Sequence, residues 1–255
     1  MGREILTLPP PPYDHKIVYG PDPFHFGYLR VPKSKGPHPV VVVIHGGFWR
    51  AAFDLEHSGH LCAALTRAGL ATWSLEYRRI GNPGGGWPGT CEDVLLGASH
   101  VASFAAQYGL DASRMVAIGH SAGGHLALWL AAQKRLRGVV SLAGVADLRR
   151  AYELKLSNNV VRDFMGGLSP EDAPEAYRKA SPIEHLPLRI PVRLIHGDAD
   201  DVVPIEISRR YEAAALKAGD AATKLVTLPG ADHFAGIDPR SAEWAAVERA
   251  VLELL

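Results

Sequence analysis

Gly119-His120-Ser121-Ala122-Gly123 follows the apolar run Met115-Val116-Ala117-Ile118 and precedes Gly124-His125-Leu126-Ala127-Leu128-Trp129-Leu130. The first run reads as a short buried strand and the last as a helix, so the five residues between them form a tight strand-to-helix turn. A G-x-S-x-G turn in that setting is a nucleophile elbow: the chain reverses so sharply that the serine is pushed into a strained backbone conformation with its hydroxyl exposed. Glycines at 119 and 123 carry no Cβ, which lets the strand and the helix pass close to the turn. The competing reading is a small-residue turn that happens to contain a serine; the flanking elements argue against it.

Outward from the elbow, apolar strand-like runs alternate with helical patterns. Val40-Val41-Val42-Val43-Ile44 is β-branched throughout and reads as a strand buried on both faces. Further strands are expected at 71–75, 138–142, 192–195 and 224–228, and helices at 55–68, 90–108, 120–133, 206–218 and 241–254. Thr90 is the expected N-cap of its helix, and Gly69 closes the helix before it. Residues 24–31 alternate as an early edge strand, and the proline run Pro9 to Pro12 is expected to be extended over the surface. The alternation predicts an α/β fold with a mostly parallel central sheet and helices on both faces. One stretch, 147–191, breaks it: a helical pattern over 148–164, then Gly166-Gly167 and several prolines. It is too long for a simple connection. It reads either as a small helical cap over the carboxyl edge of the sheet, where ligands bind in such folds, or as surface helices outside the site. The expected organisation is one domain over 1–255 with a cap insertion at 147–191.

Composition narrows the function. The 255 residues are 47% apolar, enough for a sizeable core. Lys plus Arg and Asp plus Glu both total 27, and no long basic run occurs, so a nucleic-acid partner is not expected. Cys62 and Cys91 have neither a disulfide framework nor metal-site spacing, and fit a reducing compartment. The stretch from Met1 to Leu6 has no apolar h-region, and no apolar run approaches membrane-spanning length. A cytoplasmic enzyme without membrane partners is the expectation.

A serine hydroxyl needs an imidazole to take its proton, and the imidazole needs an acceptor to fix its tautomer. The elbow motif goes with the chain order serine, acid, histidine. Of twelve histidines, only His196 and His233 come after His185. His233 lies in Pro229-Gly230-Ala231-Asp232-His233-Phe234, a turn-rich loop after the last expected strand, and is the expected base. His196 ends the preceding strand and reads as structural. The loop after it, His196-Gly197-Asp198-Ala199-Asp200-Asp201-Val202-Val203-Pro204, offers three carboxylates, and spacing does not choose among them. An oxyanion hole completes such a site: backbone N–H groups aimed at the developing negative charge, each worth about 2.7–4 kcal/mol of barrier. His45-Gly46-Gly47-Phe48-Trp49 directly follows the Val40–Ile44 strand and supplies that path, with the N–H of Ala122 as the second donor. Gly84-Gly85-Gly86-Trp87-Pro88-Gly89 satisfies G-x-G-x-x-G but does not follow a strand directly, so it reads as a loop beside the pocket. His57-Ser58-Gly59-His60 lacks the glutamate of a zinc-protease helix. No metal or other cofactor is expected. Trp49, Trp87 and His120 are candidate walls of the substrate pocket.

On His45-Gly46-Gly47-Phe48-Trp49, Glu76-Tyr77-Arg78-Arg79, Gly119 to His125 and His196-Gly197-x-x-Asp200-x-x-Val203-Pro204, the chain resembles the α/β-hydrolase esterases. The resembling group joins bacterial carboxylesterases, feruloyl-esterase-like enzymes and kynurenine formamidases, and the likeness runs from about Val40 to the C-terminus. It implies a cofactor-free serine hydrolase acting on a small ester or amide, with Ser121, Asp200 and His233 as triad. Asp201 is the runner-up for the acid and Asp198 the third choice. The family's oxyanion donors fall on the segment Gly46 to Phe48, with the N–H groups of Gly47 and Phe48 favoured, beside that of Ala122. Ester cleavage is the first expectation and N-formylkynurenine hydrolysis the alternative; a peptidase, or a binding protein on the same fold, ranks below both. The motif has Gly-Phe-Trp where hormone-sensitive-lipase-like esterases carry a third glycine, which favours the formamidase-like and feruloyl-esterase-like branch.

Overall fold

The computed structural model describes residues 2–255; Met1, the first residue of the stretch read for a leader, lies outside the described residues. The strands are β1 (His15–Val18), β2 (Phe26–Arg30), β3 (His38–Ile44), β4 (Ala71–Leu75), β5 (Leu110–His120), β6 (Gly138–Leu142), β7 (Val192–Gly197) and β8 (Thr223–Leu228). The α-helices are α1 (Gly59–Arg67), α2 (Gly89–Phe104), α3 (Ala122–Gln133), α4 (Leu148–Glu153), α5 (Leu156–Phe164), α6 (Pro174–Ala180), α7 (Glu206–Lys217) and α8 (Trp244–Leu252). Among the described residues the eight strands form one sheet in the order β1-β2-β4-β3-β5-β6-β7-β8. From β4 to β8 every pairing is parallel, while β1 and β2 pair antiparallel at one end. This is the α/β-hydrolase fold.

The Val40–Ile44 run shows why both faces are covered. Val40, Val42 and Ile44 belong to the core on one side of the sheet, and Val41 and Val43 to the core on the other. Side chains alternate along a strand, so a run of apolar residues can be buried only if helices cover both faces. The strand order reverses at β3: its partner on one side is β4 and on the other β5. Loops leaving the carboxyl ends of β3 and β5 diverge there and leave a crevice, the usual binding position in open α/β sheets.

Several boundaries differ from expectation. The strand expected at the edge is β2, but β1 covers it, with Lys16 opposite Tyr28. Three of the four β1 side chains are exposed, so no apolar alternation marked it in the sequence. Residues 55–58 form a 3-10 turn capped by Asp54 before α1 begins. Thr90 does not cap α2: its hydroxyl donates to the Arg78 carbonyl at 2.6 Å and accepts from Gly86 N–H at 3.0 Å. His120 ends β5 rather than starting the following helix. The helical pattern over 148–164 divides into α4 and α5, because Lys155, Ser157, Asn158 and Asn159 all have positive φ. Asparagine tolerates that left-handed region better than most residues, and Arg50 donates to the Ser157 carbonyl at 2.9 Å. Within 147–191, the end of α6 packs on α3: Trp129 Nε1 donates to the Lys179 carbonyl at 3.0 Å, and His125 Nε2 lies 2.9 Å from the Ala180 carbonyl.

Candidate active site

The elbow sits at the carboxyl end of β5. Ser121 has φ 56° and ψ −120°, a conformation sparsely populated by residues with a side chain, and makes no side-chain cap to α3. Two close approaches hold it there. A methyl at 119 would run into the Gly123 carbonyl, and one at 123 into the Ile44 carbonyl. Ser121 N–H donates to the Leu142 carbonyl at 2.8 Å, and its own carbonyl accepts from His125 N–H at 3.2 Å. Ala122 opens α3, so its amide lies in the first turn, where no intrahelical acceptor exists.

His233 reaches the same region from the loop after β8. Its Nδ1 lies 2.7 Å from Asp200 Oδ2. Asp200 is held from every side: Oδ1 accepts from the N–H groups of Val202 and Val203 at 2.8 Å each, and Oδ2 also lies 3.2 Å from His196 Nε2. Its side chain has no exposed surface. Burial works to raise the Asp200 pKa, but the hydrogen bonds from His196 and His233 outweigh it and hold the carboxyl well below the usual carboxylate range. An ionised Asp200 fixes His233 with hydrogen on Nδ1, leaving Nε2 free to accept a proton. Asp201 is mostly exposed, 3.9 Å from Arg3, and Asp198 accepts from Gly230 N–H at 2.6 Å.

Sequence reading missed the part His196 takes. Its Nδ1 lies 2.8 Å from the Ser208 hydroxyl and its Nε2 2.8 Å from the Val203 carbonyl, so the ring bridges the β7 terminus to the Asp200 loop and to α7. The four-residue spacing from His196 to Asp200 was the only signal. His120 holds the His233 loop in turn: its Nε2 is 2.8 Å from the His233 carbonyl, and the two rings lie 4.6 Å apart. Burial first, and then the charge on His233, push the His120 pKa well below the usual imidazole value, so the ring is neutral and donates from Nε2.

The loop after β3 turns through Gly47, Phe48 and Trp49, with φ of 106°, 51° and 55°. Two consecutive bulky residues in the left-handed region are strained, and such strain persists only where the surroundings over-determine it. Tyr77 donates its hydroxyl to the His45 carbonyl at 2.7 Å. His45 Nε2 lies 3.2 Å from Glu76 Oε1, and Arg79 closes on the same oxygen at 3.3 Å. Burial works to raise the Glu76 pKa, but His45 and then Arg79 outweigh it, so the net shift is downward. Glu76-Tyr77-Arg78-Arg79 therefore braces the loop from below, and Arg78 ties the same segment to Asp93 on α2.

Gly47, Phe48, His120, Ser121 and His233 line one cavity of about 260 Å³. Its remaining walls are mostly apolar: Leu6, Phe53, Val202 and Phe234, with His57 and Arg3. Larger grooves lie elsewhere on the surface, including one of about 490 Å³ beside Asp232 and Asp238, but they hold neither Ser121 nor His233. Trp49 and Trp87 stand apart from the cavity. Trp49 is fully buried; its Nε1 donates to His125 Nδ1 at 3.2 Å, and its ring stacks on Phe164. Trp87 packs edge-on against Trp129. Neighbours on the strained turn point in opposite directions, so Phe48 faces the cavity and Trp49 the core. Among the described residues, no group of three or more His, Cys, Asp or Glu is placed to hold a metal ion.

A family model described as BD-FAE matches residues 28–214. Esterase LipQ of Mycobacterium tuberculosis is 27% identical over 211 residues, covering 76% of this chain and 50% of that protein. A probable isoprenylcysteine alpha-carbonyl methylesterase of Arabidopsis thaliana, ICMEL1, is 27% identical over 245 residues, covering 85% of this chain and 50% of that protein. The chain thus spans about half the length of these relatives. Among solved structures, a truncated carbohydrate esterase from gut microbiota superposes with a TM-score of 0.84 at 22% identity, covering 97% of this chain and 99% of the other. A thermophilic esterase from Thermogutta terrifontis with bound propionate gives 0.73 at 22% identity, covering 96% and 94%.

Proposed function

The chain belongs to the BD-FAE family, and from that premise we propose that it is a serine carboxylesterase acting on small acyl or aryl esters. One observation carries the reading: a serine held at φ 56° opens onto the same cavity as a histidine whose far nitrogen is 2.7 Å from a buried carboxylate. Ser121 Oγ attacks the ester carbonyl while His233 Nε2 takes its proton. The imidazolium that forms is stabilised by Asp200, which stays ionised. N–H groups of Gly47, Phe48 and Ala122 receive the oxyanion. Collapse of the tetrahedral intermediate breaks the carbon–oxygen bond; His233 returns the proton to the leaving alcohol, and the acyl group remains on Ser121. Water then attacks the acyl-enzyme with His233 as base; the acyl–Oγ bond breaks, His233 returns the proton to Ser121 Oγ, and the carboxylic acid departs. The strained turns supply donors already aimed before the charge appears, which is where such sites gain most of their rate. The LipQ and methylesterase relatives and the esterase structures support the reaction class.

Ser121→Ala is expected to abolish hydrolysis of p-nitrophenyl acetate and butyrate while the circular dichroism spectrum is unchanged. Activity retained in that variant would overturn the assignment. Running N-formylkynurenine beside the aryl esters and comparing kcat/KM separates ester from formamide cleavage, for which the same triad serves.

A further inference from the structure

The cavity takes two of its walls from the start of the chain. Arg3 and Leu6 line it, although 115 residues separate Leu6 from Ser121. The segment runs along the cavity as a strap fixed at both ends. Residues 2–6 form a 3-10 turn, and Ile5, 1% exposed, is sunk into the core that also holds Ala231, Ala235 and Ile237 of the His233 side. Beyond the cavity, His60 Nε2 lies 3.1 Å from the Pro9 carbonyl, and Arg30 donates to the carbonyls of Pro11 and Pro12 at 2.8 and 3.0 Å. Between these anchors Leu6 faces inward. On its far side lies a second groove of about 290 Å³, which shares Leu6, Phe53 and His57 with the cavity and continues along Leu8, Pro10 and Ala52, with the carboxylates Asp54 and Glu56 also lining it. Those three shared side chains are a partition. His57 adds no charge to it: burial first, and then His45, push its pKa down to about 3.

We propose that Leu6, carried on the Gly2–Pro12 strap, is a specificity-determining residue that ends the substrate cavity and confines the enzyme to esters with short or compact groups at the scissile carbonyl. The argument rests on the esterase reading above. A chain longer than the cavity must displace Leu6, whose neighbour Ile5 is anchored in the core. Removing the Leu6 side chain opens the partition and joins the cavity to this groove, so longer chains gain room along Leu8 and Pro10. Leu6 is only partly buried, and its replacement does not threaten the fold.

The test compares kcat/KM across p-nitrophenyl esters from acetate to decanoate, which vary the acyl side, and across n-alkyl acetates from ethyl to octyl, which vary the alcohol side. Wild-type hydrolysis of the shortest members establishes the esterase reading by itself, and its absence sinks that reading rather than this one. With wild type active, Leu6→Ala is expected to raise the long-to-short ratio in one of the two series by about tenfold, the lower end of what one methylene is worth in an apolar pocket. Leu6→Trp should act in the opposite sense, depressing butyrate relative to acetate. Chain-length profiles unchanged in both variants and both series would overturn the proposal.

Discussion

At the scale of single residues the site depends on hydrogen bonds that fix one protonation state. Asp200→Asn keeps the shape but donates where His233 must be met by an acceptor, so kcat is expected to fall by about 10⁴-fold with little change in KM. His196→Phe tests the second donor to Asp200. The sign follows from the depressed pKa: the folded state favours the carboxylate, so the unfolded chain binds the proton more readily. The stabilisation is fully present above the unfolded value near about 3.9 and is lost as pH falls through the folded value. Without His196 the folded value moves up toward the unfolded one. The urea midpoint of His196→Phe should therefore be lower at neutral pH, and its decline on acidification, which begins near the same unfolded value in both proteins, should be smaller than in wild type. Parallel midpoint-versus-pH curves for the two proteins would show that His196 does not act through Asp200.

At the scale of elements, α3 and α7 show the two ways a helix meets this sheet. Ten residues of α3, from Ala122 to Ala131, are buried, and the helix runs behind the elbow through the core. On α7 the buried residues are Ile207, Ser208, Tyr211 and Ala215, a one-sided stripe with the spacing of an amphipathic helix. Leu128→Ala on α3 empties a fully buried position and is expected to cost about 2–5 kcal/mol. Leu216→Ala on α7 changes a side chain 51% exposed and is expected to stay within about 0.5 kcal/mol of wild type. Urea denaturation of the two variants checks the contrast; equal losses would mean that the packing assigned to α3 is wrong. The same contrast governed legibility. Elements with a continuous apolar run, such as β3, or with a clear stripe, such as α7, announced themselves. Strand β1, whose burial is slight, did not, and the left-handed turn opening α5 interrupts a pattern that otherwise reads as one helix.

At the scale of the whole molecule, buried neutral histidines set the acid limit. His120 and His125 are at most 3% exposed, and burial pushes the His125 pKa down to about 4. Their folded forms refuse a proton that the unfolded chain accepts below about 6.5. Stability from these groups is fully present above that value and is lost as pH falls below it, by about 1.4 kcal/mol per pH unit for each fully buried ring until the folded pKa is reached. His57 shifts in the same direction. The thermal unfolding midpoint should thus fall steadily from pH 6.5 to about 5, before the carboxylates begin to titrate; His125→Phe should flatten that slope. A slope unaffected by the substitution would place the acid sensitivity elsewhere.

By itself the sequence determined the features that a short stretch of backbone must satisfy. The elbow at 119–123, the H-G-G turn after β3 and the alternation of strands and helices all leave local marks, because steric limits on neighbouring residues restrict which side chains can stand there. Tertiary structure alone decided what depends on residues far apart in the chain. It brought His196 and His233 to one oxygen of Asp200, sent Phe48 into the cavity and Trp49 into the core, and laid Leu6 across a site more than a hundred residues away. Such contacts are fixed by the packing of the whole sheet and its coverings, and a contact set by packing leaves no periodicity in the residues that make it.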